Sequence, residues 1–277
     1  MTAGEREASG SPAPEPSASA RANARFEHPR DVAHGPVRTF HPRRSALGPA
    51  RTDALERLWP RYGFSVHDDD LGTGPRRPDG LLDTVALFGR SAPVVLEIGS
   101  GMGEAVAAMA AADPERDYLA VEAHLPGLAH LLTLLEARGL STVRLAHGDA
   151  LDLVRRIAPD SLDAVHIFFP DPWPKPKHHK RRIVAPAHVA LLRSRLRPGG
   201  TLHCATDWAP YAHEMLAVLA ADPGLVNPHR GFAPRPAHRP LTKFERRGLA
   251  LGHEVFDVVA TRRAAPAPPA RTPVSPG

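Results

Sequence analysis

From residue 92 onward, apolar positions along the chain fall into two alternating rhythms. Short apolar runs occur at "APVVLEIG" (92–99), "DYLAVEAH" (117–124), "TVRLAHGD" (142–149), "LDAVHIFFP" (162–170), "TLHCATD" (201–207) and "HEVFDVVATRR" (253–263). Runs of this length, bounded by turn-forming residues, predict strands. Between most of them the apolar residues recur three and four apart. This is plainest in "PGLAHLLTLLEARG" (126–139) and "HVALLRSRLRPGG" (188–200), which predict helices. Strands alternating with helices imply an α/β fold built on a doubly wound sheet. Upstream, "DALERLWPRYGF" (53–64) carries an amphipathic turn or two suited to docking on that sheet domain.

The two ends follow neither rhythm. "MTAGEREASGSPAPEPSASARANAR" opens the chain and "AAPAPPARTPVSPG" closes it, both rich in Pro, Ala and Ser. Such segments bury too little apolar surface to offset the entropy of ordering. Residues 1–35 and 264–277 are therefore expected to be disordered tails around one domain at 36–263. Lys and Arg number 35 against 30 Asp and Glu, a net charge of +5, which favours polyanionic partners. Cys204 is the only cysteine, so a disulfide framework and a cysteine-rich zinc site are excluded, and a reducing compartment fits. With no stretch of about 20 apolar residues and no signal-like N-terminus, a cytoplasmic location is expected.

In doubly wound sheets, ligands bind outside the carboxyl ends of the strands, where chain order reverses. The first strong strand ends in "LEIGSGMGEA", placing Gly99, Gly101 and Gly103 between strand and helix. This is GxGxG and not the dinucleotide GxGxxG. Glu104 stands where the third glycine of that fingerprint belongs and sets a negative charge against any pyrophosphate at the helix N-terminus. A sulfonium nucleoside without phosphates suits the loop better, with Glu97 favouring its cationic methionine end. Glu122 ends the second strand and can accept both ribose hydroxyls, and Asp149 of "GDA" can accept from an adenine amino group. Singly, each acid also fits a solvated strand end. Together, at successive strand ends, they point to S-adenosylmethionine.

"FFPDPWPKPKHHKRR" (168–182) follows the fourth strand and is the most distinctive stretch. Pro170, Pro172 and Pro174 restrict the backbone around Asp171, which preorganises a carboxylate on the reacting face. Trp173 can stack on a base or plug the loop against the core, and its closeness to Asp171 favours stacking. Lys175, Lys177, Lys180, Arg181 and Arg182, with His178 and His179 among them, form a cationic patch for phosphates. "HHK" and the pair His203–Cys204 lack the spacing and number of ligands for a zinc site, so no metal is expected. No GxSxG, Walker or HExxH motif is present.

Over residues 37–262 the chain resembles the bacterial tRNA (guanine-N7)-methyltransferases. The resemblance rests on "LEIGSGMGEA", "VEAHLPG", "HGDAL", "FFPDPWPKPKHHKRR", "LRPGGTLHCATDWAPYAHEM" and "RPLTKFERRGLALGHEVFD", in that family's order. It implies a Rossmann-like class I methyltransferase sheet, mostly parallel with an antiparallel C-terminal strand. It further implies S-adenosylmethionine as donor and the variable-loop guanosine 46 of tRNA as target; the alternatives are a non-catalytic RNA-binding module and an amino-group (N6-adenine type) nucleic-acid methyltransferase. By the same resemblance Glu97, Gly99, Glu122, Asp149 and Asp171 bind the donor, and Asp171 is also the catalytic acid. Lys175, Asp207, Thr242, Lys243, Phe244 and Glu245 match substrate positions, and Lys177, His178, His179, Lys180, Arg181 and Arg182 match the RNA-contacting segment. Pro174 departs from the polar residue common in the family at that place, and Pro176 adds stiffness, so a different path for the RNA loop is expected.

Overall fold

A computed structural model describes residues 37–40, 47–67 and 71–264. The two predicted tails lie outside these residues, apart from Ala264. In chain order the elements are α1 (Pro49–Tyr62), β1 (Gly63–Ser65), α2 (Thr84–Phe88), β2 (Val94–Ile98), α3 (Glu104–Ala112), β3 (Asp117–Glu122), α4 (Leu125–Arg138), β4 (Val143–His147), α5 (Ala150–Arg156), β5 (Leu162–Phe168), a 3-10 helix (Pro176–Arg181), α6 (Pro186–Arg195), β6 (Leu196–Thr206), α7 (Ala209–Ala221), β7 (Leu225–Val226), α8 (Lys243–Ala250) and β8 (Phe256–Arg262).

The strands form one eight-stranded sheet in the order β1-β4-β3-β2-β5-β6-β8-β7. β1 to β6 run parallel, and β8 joins β6 and β7 in antiparallel ladders. Parallel strands need helical crossovers, which cover both faces. Every residue of β2 is accordingly buried. On one face Leu96, Ile98, Val165 and Ile167 pack with Leu153, Val189, Leu192, Tyr211 and Met215 of α5, α6 and α7. On the other, Val95 and Tyr118 pack with Leu55 and Trp59 of α1 and Leu128, Leu131, Leu132 and Leu135 of α4. The predicted turn or two at 53–64 is a 14-residue helix. It is tied to α4 where the Arg57 guanidinium donates to Glu136 Oε1 and Oε2 at 2.7 and 3.1 Å.

The helix predicted over 188–200 overran. α6 ends at Arg195 and Leu196 already belongs to β6. Pro198 has no N–H with which to continue a helix, and Gly199 turns the chain at a φ of +79°. The inserted residues appear as a break in register, since Leu162 pairs with Leu196 but Ala164 with Thr201.

Chain order reverses at β2, whose neighbours are β3 on one side and β5 on the other. In sheets of this kind such a reversal is where a ligand crevice forms. One close approach shapes it. A Cβ on Gly127, in the first turn of α4, would lie 2.0 Å from the Gly101 carbonyl oxygen. Gly127→Ala should therefore push α4 off the glycine loop at a cost of about 1–3 kcal/mol, as overpacked sites do. Thermal unfolding should register this as a midpoint lowered by roughly 2–10 °C; an unchanged midpoint would show that the contact yields freely.

Candidate active site

Five carboxylates stand at or just beyond the carboxyl ends of five adjacent strands. In sheet order they are Asp149 after β4, Glu122 ending β3, Glu97 in β2, Asp171 after β5 and Asp207 after β6. The glycine loop connects β2 to α3 beneath them. Gly99, Gly101 and Gly103 have φ of 74°, 55° and 75°, values that side-chain-bearing residues adopt with strain. A Cβ on Gly99 or Gly101 would meet nothing within 4 Å, whereas one on Gly103 would strike Leu131 at 2.6 Å. The first two glycines thus border open space, and the third permits helix packing. Glu104 is exposed in the first turn of α3.

Glu122 has a duty beyond the expected ribose contact. Its carboxylate accepts from Gly101 N at 2.9 Å and His124 N at 2.8 Å, fixing the loop. Asp149 likewise caps α5, with Oδ1 accepting from Leu151 N at 2.8 Å. Glu97 is only 3% exposed, and its Oε2 has no hydrogen-bond partner among the described residues. Burial, with the Glu122 charge adding to it, pushes its carboxyl up to about 8. A buried carboxyl without a donor is costly unless something cationic or hydrogen-bonding meets it.

Asp171 sits between two strained residues. Phe169 and Trp173 have φ of 50° and 46°, each costing about 1–3 kcal/mol for a side-chain-bearing residue. Neighbours hold the loop there: Phe169 N donates to Ala205 O at 2.7 Å, and Arg182 Nε donates to Pro172 O at 2.9 Å. The Asp171 side chain makes no hydrogen bond to any described residue and is half-buried.

Three residues of this segment are engaged inside the fold. Trp173 is 3% exposed, with the Arg181 guanidinium 3.7 Å from its ring centroid, so it plugs the loop and offers no face to a base. Arg181 also donates to Arg38 O and Phe40 O at 3.0 and 2.8 Å, which occupies its fork. Arg182 is 2% exposed, pairs with Glu214 and lies over the Tyr211 ring at 4.6 Å, so its charge is used inside the fold. Lys175, Lys177 and Lys180 are exposed, with His178 and His179 half-buried between them. The 3-10 helix carries the last four of these toward solvent.

The segment before β8 is organised around Arg239, which opens the "RPLTKFERRGLALGHEVFD" stretch without having been given a site role in the sequence. Its guanidinium donates to Glu245 Oε2 and Oε1 at 2.6 and 2.8 Å and to Asp257 Oδ1 and Oδ2 at 2.8 and 2.9 Å. Glu245 is therefore a buried brace within the segment expected to meet the substrate. Thr242 caps α8 by accepting from Glu245 N at 3.1 Å. Lys243 and Phe244 begin that helix, and their side chains lie outside the described residues. Only the six-residue separation of Arg239 from Glu245 hints at the brace; Asp257 comes from β8 and no local spacing reveals it. Asp207 is exposed beside Trp208, which is 41% exposed.

Among families of known proteins, a methyltransferase model, described as "Putative methyltransferase", matches residues 91–258. A tRNA (guanine-N(7)-)-methyltransferase of Halorhodospira halophila is 53% identical over 226 residues, 80% of this chain and 94% of that one. Its counterpart in Streptomyces avermitilis is 49% identical over 230 residues, 82% of this chain and 75% of that one. Among solved structures, the 16S rRNA methyltransferase KamB superposes with a TM-score of 0.48 at 16% identity, over 69% of this chain and 95% of that one.

The Glu97 environment makes ligand-free stability depend on pH. An unfolded Glu97 loses its proton near pH 4.5, while the folded carboxyl holds it to about 8. Across that window the unfolded state binds fewer protons, so rising pH favours unfolding. The melting temperature of Glu97→Gln should accordingly gain on that of the parent as pH rises from 5 to 8, by a few degrees. A gap that stays constant across those pH values would mean that Glu97 is not desolvated.

Proposed function

Because the chain belongs to the tRNA (guanine-N7)-methyltransferase family, we propose that it transfers the methyl group of S-adenosylmethionine to N7 of the variable-loop guanosine 46 of tRNA. The row of five carboxylates across the β2/β5 reversal is the observation that carries this reading. It provides acceptors for a nucleoside and a cationic donor. The residues present fit the donor: Gly99 and Gly101 border open space, and the unpartnered Glu97 carboxyl lies buried at the end of β2.

S-adenosylmethionine supplies an electrophilic methyl group on a positively charged sulfur. In our reading Glu97 neutralises the donor's ammonium end, Glu122 shares its carboxylate oxygens between the glycine loop and the ribose, and Asp149 orients the adenine. Guanine N7 already has an in-plane lone pair, so no general base is required. The demand on the chain is alignment at roughly 3–3.5 Å. Asp171, held by its strained neighbours, accepts from the guanine edge and favours the positive charge that the purine acquires. The surroundings of Glu245 and Arg239 support a positioning role for the TKFE segment. Lys175, Lys177 and Lys180 face the phosphate backbone, with His178 and His179 supporting them. Among the described residues no helix is long and apolar enough to cross a membrane.

A tRNA with 7-deazaguanosine at position 46 tests the reacting atom, because it keeps the Watson–Crick edge and removes the nucleophile. It should bind normally and accept no methyl group. Methylation at an undiminished rate would point to another atom.

The exposed and buried cations should separate in a salt titration. Replacing Lys177 and Lys180 together with Ala should flatten the slope of log K against log salt by up to about 1.4–1.8, or roughly 0.7–0.9 for each phosphate no longer neutralised. Arg182→Ala should lower the melting temperature through its orphaned Glu214 and leave the slope within error. The reverse pattern would return Arg182 to the RNA-contacting set.

A further inference from the structure

Outside the row of carboxylates, three histidines from separate elements meet on one face of the sheet. His166 of β5 and His203 of β6 are register partners, and His238, in the loop before α8, closes over them. One nitrogen from each ring lies within 4.8 Å of the others. His203 Nδ1 is 3.1 Å from His238 Nε2, and His203 Nε2 is 2.6 Å from Asp257 Oδ1. His166 is 4% exposed, and its Nδ1 is buried with no hydrogen-bond partner among the described residues. A hydrogen bond between His203 and His238 accounts for two of the rings. It leaves the third, whose ring packs against Phe168, His203 and His238, with its Nδ1 unmatched among the described residues.

We propose that His166, His203 and His238 form a binding site for a divalent transition-metal cation of the zinc class, which clamps the segment carrying Arg239, Thr242 and Glu245 onto the sheet. Imidazole nitrogens are the ligands such cations favour, and here three converge from separate elements. Asp257 supplies the outer carboxylate found behind many metal-bound histidines. Accepting the Nε2 proton of His203, it turns the Nδ1 lone pair toward the other two rings. Zinc–nitrogen bonds of about 2.0–2.1 Å in tetrahedral geometry put ligand nitrogens about 3.3 Å apart. The His203–His238 pair already stands at 3.1 Å.

The local charge also suits a cation. Asp257 and Glu245 contribute two negative charges and Arg239 one positive, so the brace beneath the histidines carries −1 when ionised. Exposure of His238 leaves a side open for a water as fourth ligand. Cys204, the neighbour of His203 in sequence, points to the opposite face and is buried in the other core layer, so it takes no part.

The test is a titration of Co2+ into the untagged, chelator-treated full chain, with Zn2+ as competitor. One equivalent should bind with the visible absorption of four-coordinate Co2+ and be displaced by one equivalent of Zn2+. His238→Asn, at an exposed position, should weaken binding at least tenfold, and Zn2+ should raise the melting temperature of the parent but not of this variant. The double change His178→Ala and His179→Ala should leave metal affinity unchanged. Absence of binding at micromolar Co2+, binding indifferent to His238→Asn, or binding abolished by the His178 and His179 changes would each overturn the site.

Discussion

The common direction of β4, β3, β2, β5 and β6 is the constraint on which the rest of the molecule depends. Parallel strands end on the same edge, so side chains separated by more than a hundred residues, from Glu97 to Asp207, share one rim. Reversal of chain order at β2 parts the connections on either side, the arrangement in which a ligand crevice forms. The helices that make this parallel arrangement possible bury the strands on both faces. Glu97 is desolvated by that burial, near the end of a strand whose other four residues are apolar. The sheet thereby creates both the rim and the local instability that a bound cation would relieve.

A second theme is the division of labour among charged residues adjacent in sequence. Arg181 and Arg182 hold the Trp173 plug and the Pro172 carbonyl, while Lys175, Lys177 and Lys180 remain exposed. Arginine suits the inward positions because its planar fork satisfies several acceptors and stacks on rings; lysine suits a solvated patch. The same principle appears at Arg239, where one guanidinium serves two carboxylates and positions a helix start. Basic residues of one short run thus build the loop and furnish its surface.

What can be read from the chain alone follows the range of the interactions. The six long strands and α4 have strong periodic signals set by their own residues. β1, β7 and α2 are too short to show a period, and the end of α6 is blurred because Leu196 continues its apolar spacing past Arg195. Strand-end acids and the glycine loop are legible because the fold places them by local sequence alone. Burial of Trp173, Arg182 and Glu245 is not, because it depends on partners such as Tyr211, Glu214 and Asp257, which arrive from other elements. Local spacing likewise sets aside His203 as a ligand, since His166 and His238 join it only through strand pairing and a returning loop.

The carboxylate rim has one more consequence, in terms of what can cross it. A chain with net charge +5 has gathered five acidic side chains along one edge, next to a lysine-bearing 3-10 helix. Opposite signs thus lie side by side, and the field between them sorts an approaching polyanion by its parts. Its phosphodiester backbone is drawn to the lysines and repelled from the crevice, whereas an uncharged heterocycle meets no such barrier. The rim works as a filter for charge before any contact specific to a base is made.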